Sequence, residues 1–211
     1  MIQFVALYKL MGVSRSNRPY SLAKIAGIEM CWSYNRQYGT KYLAVMPTNL
    51  YGPEDNYHLD NRNVIPALIR KFHEAMRANV KEVVVWGTGT LKREFLYSED
   101  MSDARVYLMN LQNNSFDGLL GSDESVSGKF EPPLVNIGVG EYINIGELAT
   151  LVKQVVGYTG EIIFDTLKPD GTSRKLMDVS RLNKLGGSTP TSLPAGLTRA
   201  YTDFLSNYAA D

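Results

Sequence analysis

Short apolar runs that read as strands alternate along this chain with longer amphipathic stretches that read as helices, and no other feature constrains its fold as tightly. Tyr42–Met46, Glu82–Trp86, Leu134–Ile137 and Glu161–Phe164 have the length and side chains of buried strands, and Glu94–Tyr97 of a shorter one. Between them lie helices. The first runs from about Tyr20 to Tyr38, with Pro19 at its opening and Gly39 closing it, and its apolar mass comes from Leu22, Ile25, Ala26, Cys31 and Trp32. A second, about Val64 to Ala78, tolerates Pro66 in its first turn and gathers Leu68, Ile69 and Phe72 on one side. Ser98 is an N-cap candidate, followed by Glu99 and Asp100 near the positive end of the helix dipole. Asn144 with Glu147 spells a capping box for a helix ending at Gly157, and two short helices finish the chain. Polar loops are expected from Pro47 to about Asn61, over 113–133 and over Lys168–Lys175. Strand–helix alternation of this kind predicts an α/β fold with a substantial parallel component.

Composition removes several classes of function. With 44% apolar residues in 211, the chain can build a real core. Its 22 basic and 22 acidic side chains cancel, so it exerts no long-range pull on nucleic acid or an anionic membrane. An anionic ligand must then be gripped by a local cluster of cations. No stretch approaches the roughly 18 apolar residues of a membrane span. Cys31 has no second cysteine to pair with, and two histidines with one cysteine do not make a structural zinc site, so no metal is expected. Residues 2–7 are apolar in places, but Lys9 interrupts them and no basic leader precedes them, so a signal peptide is not expected. These readings together predict a soluble, cytoplasmic protein.

Two constellations could carry chemistry. Tyr20 and Lys24 lie four apart near a helix start and so share a face. A cation beside a phenol favours the phenolate, and such a phenol can pass a proton to or from a carbonyl oxygen during hydride transfer. The same spacing also fits an ordinary surface pair. Arg70, Lys71, Arg93, Arg174 and Lys175 could converge on a diphosphate, with Trp86 stacking on a base or sugar face. They fit equally a set of solvated cations, with Trp86 in the core. No G-x-G-x-x-G occurs, because Gly87-Thr-Gly89 and Gly138-Val-Gly140 both lack the third glycine. His58 falls in a polar loop, and His73 is expected on a polar, solvated helix face.

Several phrases, taken in order, point further. They are Tyr20-Ser-Leu-Ala-Lys24, Ser33 through Gly39, Met46-Pro-Thr-Asn-Leu-Tyr-Gly-Pro53, Val64-Ile-Pro-Ala-Leu68, Val85-Trp-Gly-Thr-Gly89, Arg93-Glu-Phe95, and Lys168-Pro-Asp-Gly-Thr172 with Arg174-Lys175-Leu176. Together they resemble the GDP-L-fucose synthase family, NADP-dependent 3,5-epimerase/4-reductases of the extended short-chain dehydrogenase/reductase superfamily. That resemblance runs from about Asn17 to Gly186. It implies that Tyr20 is the proton donor to a 4-keto sugar and that Lys24 holds the nicotinamide ribose. Pro47, Thr48, Asn49 and Leu50 would lie against the nicotinamide end of NADP(H), and Lys71, Trp86, Arg93, Asp170 and Lys175 would grip a GDP-sugar substrate. A homodimer is the family's common state.

The resemblance also implies departures. The family's glycine-rich turn, catalytic serine and epimerisation cysteine would lie before residue 1, leaving an incomplete Rossmann-like parallel sheet plus a smaller α/β substrate-binding region. Asn63 stands where the family has a catalytic histidine, and Lys71 where it has an arginine. The expected layout is an atypical segment over 1–16 and the rest of the Rossmann-like domain over 17–111, with substrate-domain elements interleaved at about 62–82. A loop or insertion over 112–133 and a C-terminal substrate-binding region over 134–211 complete it. The implied activity is conversion of GDP-4-keto-6-deoxy-D-mannose to GDP-L-fucose, absent or weak in this truncated chain alone. The alternative is a non-catalytic GDP-sugar-binding or dimerisation module.

Overall fold

Helix α1 (Arg18–Tyr38) is closed by Gly39, whose φ of 64° is the left-handed conformation that stops a helix. The computed structural model describes residues 18–58, 63–121, 132–167 and 176–209. After α1 come β1 (Ala44–Pro47), β2 (Asn49–Tyr51), α2 (Val64–Arg77), β3 (Glu82–Trp86), β4 (Lys92–Arg93), β5 (Phe95–Tyr97), α3 (Ser98–Met109) and α4 (Asn113–Asp117). The remainder is β6 (Leu134–Ile137), β7 (Ile143–Asn144), α5 (Ile145–Val156), β8 (Glu161–Asp165), α6 (Ser180–Lys184) and α7 (Leu193–Asn207). The chain divides into two units, Met1–Met46 with Leu108–Val135 and Pro47–Tyr107 with Asn136–Asp211.

In the first unit α1 buries Ile25, Ile28 and Trp32, spaced three and four residues apart as one helical face requires. Leu22 and Cys31 are half-buried and Ala26 is exposed, so the buried stripe is narrower than the composition suggested. The Asn35 side chain folds the following segment back. Its amide nitrogen donates to the Tyr42 carbonyl at 2.8 Å, while its oxygen accepts from the Tyr42 N–H at 2.8 Å and the Thr40 hydroxyl at 3.0 Å. Strand β1 therefore starts at Ala44, two residues later than expected, and the Ala44 N–H reaches the Pro133 carbonyl at 2.8 Å. The stretch read as loop begins with helix α4 instead. Leu119, 3% exposed, buries just beyond it and anchors that turn against the local preference of Asn and Gly.

The core of the second unit is built on α2, α5 and α7. Ile65, Leu68, Ile69 and Phe72 of α2 meet Leu148, Ala149, Val152 and Val156 of α5, together with Leu197, Ala200 and Phe204 of α7. Each large side chain so buried contributes roughly 1.5–3 kcal/mol. The capping box is present: the Glu147 N–H donates to the Asn144 side chain at 2.7 Å, and the Asn144 N–H donates to Glu147 at 3.3 Å. Gly157 then closes α5 at φ 79°. Strands β3 and β8 are parallel, with Glu82 opposite Glu161 and Trp86 opposite Asp165. Strands β2 and β5 are also parallel, and β4 and β7 antiparallel. Strand β2 lies within the stretch expected to be loop; three residues paired with a strand more than 40 positions away leave no local periodicity to read. Ser98 is the first residue of α3 rather than its N-cap.

His73 corrects another expectation, because it is buried at 7% exposure rather than solvated. Its ring lies 5.1 Å from Phe204 and 5.9 Å from Tyr201, and its Nδ1 is 3.0 Å from the Tyr201 hydroxyl. Aromatic residues of α7, remote in sequence, convert a polar-looking helix position into core. Burial first, and the Arg77 guanidinium second, hold the His73 pKa below its usual 6.5, with Glu74 opposing. As pH falls through about 6.5 the unfolded chain takes up a proton at this position that the folded chain resists. Urea midpoints should therefore fall between about pH 7.5 and about pH 5.5, and His73→Phe should flatten that slope.

Candidate functional site

In the first unit, Tyr20 and Lys24 lie on the opening turns of α1 and meet as their spacing demands. The Lys24 ammonium is 5.4 Å from the centre of the Tyr20 ring, and Tyr20 is 69% exposed. The phenol is thus open to a reactant, with a cation against its ring.

In the second unit, the polypeptide around Glu94 organises a second group of residues. Glu94 sits between β4 and β5 with none of its surface exposed. A buried carboxyl group needs donors, and this one has two backbone N–H groups: Gly140 at 2.8 Å on Oε1 and Met177 at 3.0 Å on Oε2. Its main-chain carbonyl accepts from the Thr48 hydroxyl at 3.1 Å and from the Asn49 amide at 2.7 Å. Pro47 and Thr48 are half-buried, whereas Asn49 and Leu50 are exposed beside them. The Thr48 N–H is held by the Ile137 carbonyl at 3.2 Å. Gly138 and Gly140, weighed in the sequence as an incomplete dinucleotide turn, have a different task here. A Cβ on Gly138 would come within 2.3 Å of Glu94 Oε1, so glycine is what lets the carboxyl group seat.

The basic residues separate. Arg70 is committed elsewhere, donating to Glu74 at 2.6 Å and to the Tyr57 carbonyl at 2.8 Å. Lys71, one residue on, points the other way around α2, and its ammonium donates to the Val84 carbonyl at 2.5 Å. That places it beside β3, whose alternation buries Val83 and Val85 and turns Val84 and Trp86 outward. Trp86 is accordingly 69% exposed and not in the core. Arg93, half-buried on β4, turns its guanidinium back to the Lys92 carbonyl at 2.7 Å. Asn63 precedes α2, is exposed, and makes no side-chain capping hydrogen bond. Asp170 and Lys175, like Arg174 and the segment 1–16, lie outside the described residues. Glu94 escaped the sequence reading, although a lone carboxylate inside the run Arg93-Glu-Phe-Leu-Tyr97 is a usable signal for a buried polar anchor. Among the described residues no group of three or more His, Cys, Asp or Glu could hold a metal ion, and no helix is long and apolar enough to cross a membrane.

These features define an α/β protein whose paired parallel strands carry polar groups at their ends. Residues 8–118 match the NAD dependent epimerase/dehydratase family, and the chain belongs to that family. It is similar to the GDP-L-fucose synthase of Escherichia coli K12, 50% identical over 192 residues that make up 91% of this chain and 57% of the relative. Among solved structures it resembles a GDP-6-OMe-4-keto-L-xylo-heptose reductase from C. jejuni, with a TM-score of 0.81 at 33% identity, covering 92% of this chain and 62% of that one. It also resembles a GDP-L-fucose synthetase from Naegleria fowleri bound to NADP, with a TM-score of 0.77 at 26% identity, covering 93% of this chain and 58% of that one. The chain thus spans little more than half the length of the curated relative it matches.

Because Asn63 is exposed and caps nothing, Asn63→His should fold as the parent does. Its melting temperature should stay within about 3 °C, the range expected of a surface change below roughly 0.5 kcal/mol. A larger drop would show that the amide has a structural duty.

Proposed function

We propose that this chain carries the GDP-sugar grip and the proton-donating tyrosine of an NADP-dependent epimerase/reductase of the GDP-L-fucose synthase kind. The reaction would convert GDP-4-keto-6-deoxy-D-mannose to GDP-L-fucose. The observation that carries the reading is the placement of Lys71 against β3, two residues from an outward Trp86, in a chain 50% identical to a GDP-L-fucose synthase.

Each residue then has a chemical task. Arg93 and Lys71 supply the positive charge a diphosphate needs, the arginine by a two-pronged hydrogen bond and the lysine as a point charge. Trp86, 69% exposed, would bring its indole ring to the nucleoside. The Tyr20 O–H gives its proton to the sugar's C4 oxygen, which becomes a hydroxyl as the carbonyl is reduced, and the Lys24 ammonium steadies the phenolate left behind. NADPH, when bound, supplies the hydride. By the family resemblance, Lys24 would hold its nicotinamide ribose and the Pro47–Leu50 loop, ordered by the Thr48 and Asn49 hydrogen bonds to the Glu94 carbonyl, would lie against its nicotinamide. The residues fit in part: the Lys24 ammonium can donate to a ribose hydroxyl, whereas the Thr48 hydroxyl hydrogen is already given to Glu94, and the glycine-rich turn that would receive the pyrophosphate is not found in this sequence. Asn63 can hydrogen-bond to the sugar but has no proton to give near neutral pH, so epimerisation would be slow. On this reading the chain alone binds GDP-sugars and turns them over weakly or not at all, and dimerisation and a cytoplasmic setting are part of the proposal.

Indole fluorescence tests it. GDP-fucose should change the emission of the exposed Trp86 in a saturable way, and Trp86→Phe should abolish the signal. Loss of a charge-assisted bond costs roughly 1.5–3 kcal/mol, so Arg93→Ala should weaken binding about tenfold or more. An unchanged emission at millimolar ligand would remove the reading.

A further inference from the structure

Three separate segments of the second unit converge on Glu94, two on its side chain, which touches no solvent, and one on its main-chain carbonyl. Glu94 takes the Gly140 N–H on one oxygen and the Met177 N–H on the other, while its carbonyl takes Thr48 and Asn49. Arg93 is its neighbour in the chain, and Met177 follows Lys175 by two residues. The seat is close-fitting. A Cβ on Gly138 would lie 2.3 Å from Oε1, 3.1 Å from Cδ and 3.3 Å from Val179 Cγ1. With no exposed surface, Glu94 cannot itself meet a ligand, so whatever it does for binding it does through these neighbours.

Resting on the GDP-sugar reading above, we propose that Glu94 is a positioning residue for the nucleotide diphosphate. By clamping 138–140 and 177 to the β4–β5 junction it fixes the backbone that presents Arg93, and through Thr48 and Asn49 it ties that backbone to the 47–50 loop. Binding groups held in place before the ligand arrives do not have to be ordered by it, which is where such a clamp gains affinity. Both carboxyl oxygens accept. A glutamine of the same size keeps one acceptor and turns an NH2 toward the other backbone N–H, so one donor is left buried without a partner. Asp100 provides the matched control. It too is a buried carboxyl group, 3% exposed, and it holds Thr191 through N–H at 2.8 Å and hydroxyl at 2.7 Å, but no proposed ligand group neighbours it.

The experiment is calorimetric titration of the 211-residue chain with GDP, comparing parent, Glu94→Gln and Asp100→Asn at matched folded fraction, with amide hydrogen exchange read at Gly140 and Met177. Glu94→Gln should weaken GDP binding about tenfold or more and speed exchange at whichever of the two amides loses its acceptor, whereas Asp100→Asn should lose stability with GDP affinity within about twofold of the parent. Gly138→Ala, which displaces the same carboxyl group without removing it, should reproduce the affinity loss and serves if Glu94→Gln does not fold. Parent-like GDP affinity in Glu94→Gln or Gly138→Ala, or an equal loss in Asp100→Asn, would overturn the positioning role while leaving the GDP-sugar reading intact. Failure of the parent chain to bind GDP would overturn that reading, and this proposal with it.

Discussion

Burying a carboxyl group is unfavourable unless donors replace the water it loses, and Glu94 is buried completely. Satisfying it dictates much of the second unit. Two backbone N–H groups from different loops must come to its oxygens, and a glycine must stand at 138 because no larger residue leaves room. Its carbonyl then fixes the side chains of Thr48 and Asn49. Asp100 repeats the device six residues later at the head of α3, where it draws in Thr191. One short stretch of chain therefore carries two buried acceptors that recruit partners from four other places. An apolar core of α2, α5 and α7 supplies the bulk of the burial; these polar anchors decide where the loops go.

The helices and the longer strands were legible because their signals are local. The Val64 helix, the Glu82–Trp86 and Leu134–Ile137 strands, and the capping box at Asn144 all follow from spacing within a dozen residues. What could not be read was set at long range. Strand β2 exists because β5 pairs with it, and His73 is core because Phe204 and Tyr201 cover it. The candidate site divides in the same way. Tyr20 with Lys24 follows from helical spacing, and the outward Trp86 follows from strand parity once Val83 and Val85 are known to face inward. The split between Arg70 and Lys71 depends on Glu74, Tyr57 and Val84, which no spacing rule connects to a diphosphate. Glu94 was hidden for the same reason, since the donors that explain it lie 46 and 83 residues away.

Membership of the NAD dependent epimerase/dehydratase family gives these residues a chemical setting. The two units present different chemistry. One offers an exposed phenol beside an ammonium; the other offers cations, an exposed indole and a loop anchored to Glu94. Under the proposed reading, Asn63, an exposed amide at the entrance to α2, would separate reduction, whose proton Tyr20 would give, from epimerisation, which needs a further proton donor.

Whether the second unit grips a guanosine diphospho-sugar, as proposed, is tested most directly by two-dimensional NMR of the isotopically labelled chain during titration with GDP-fucose. Saturable shifts should concentrate at the Lys71 and Arg93 amides and the Trp86 indole N–H, with Gly140 and Met177 moving alongside them. Shifts that fail to saturate, or that leave those five positions unmoved while appearing elsewhere, would contradict it.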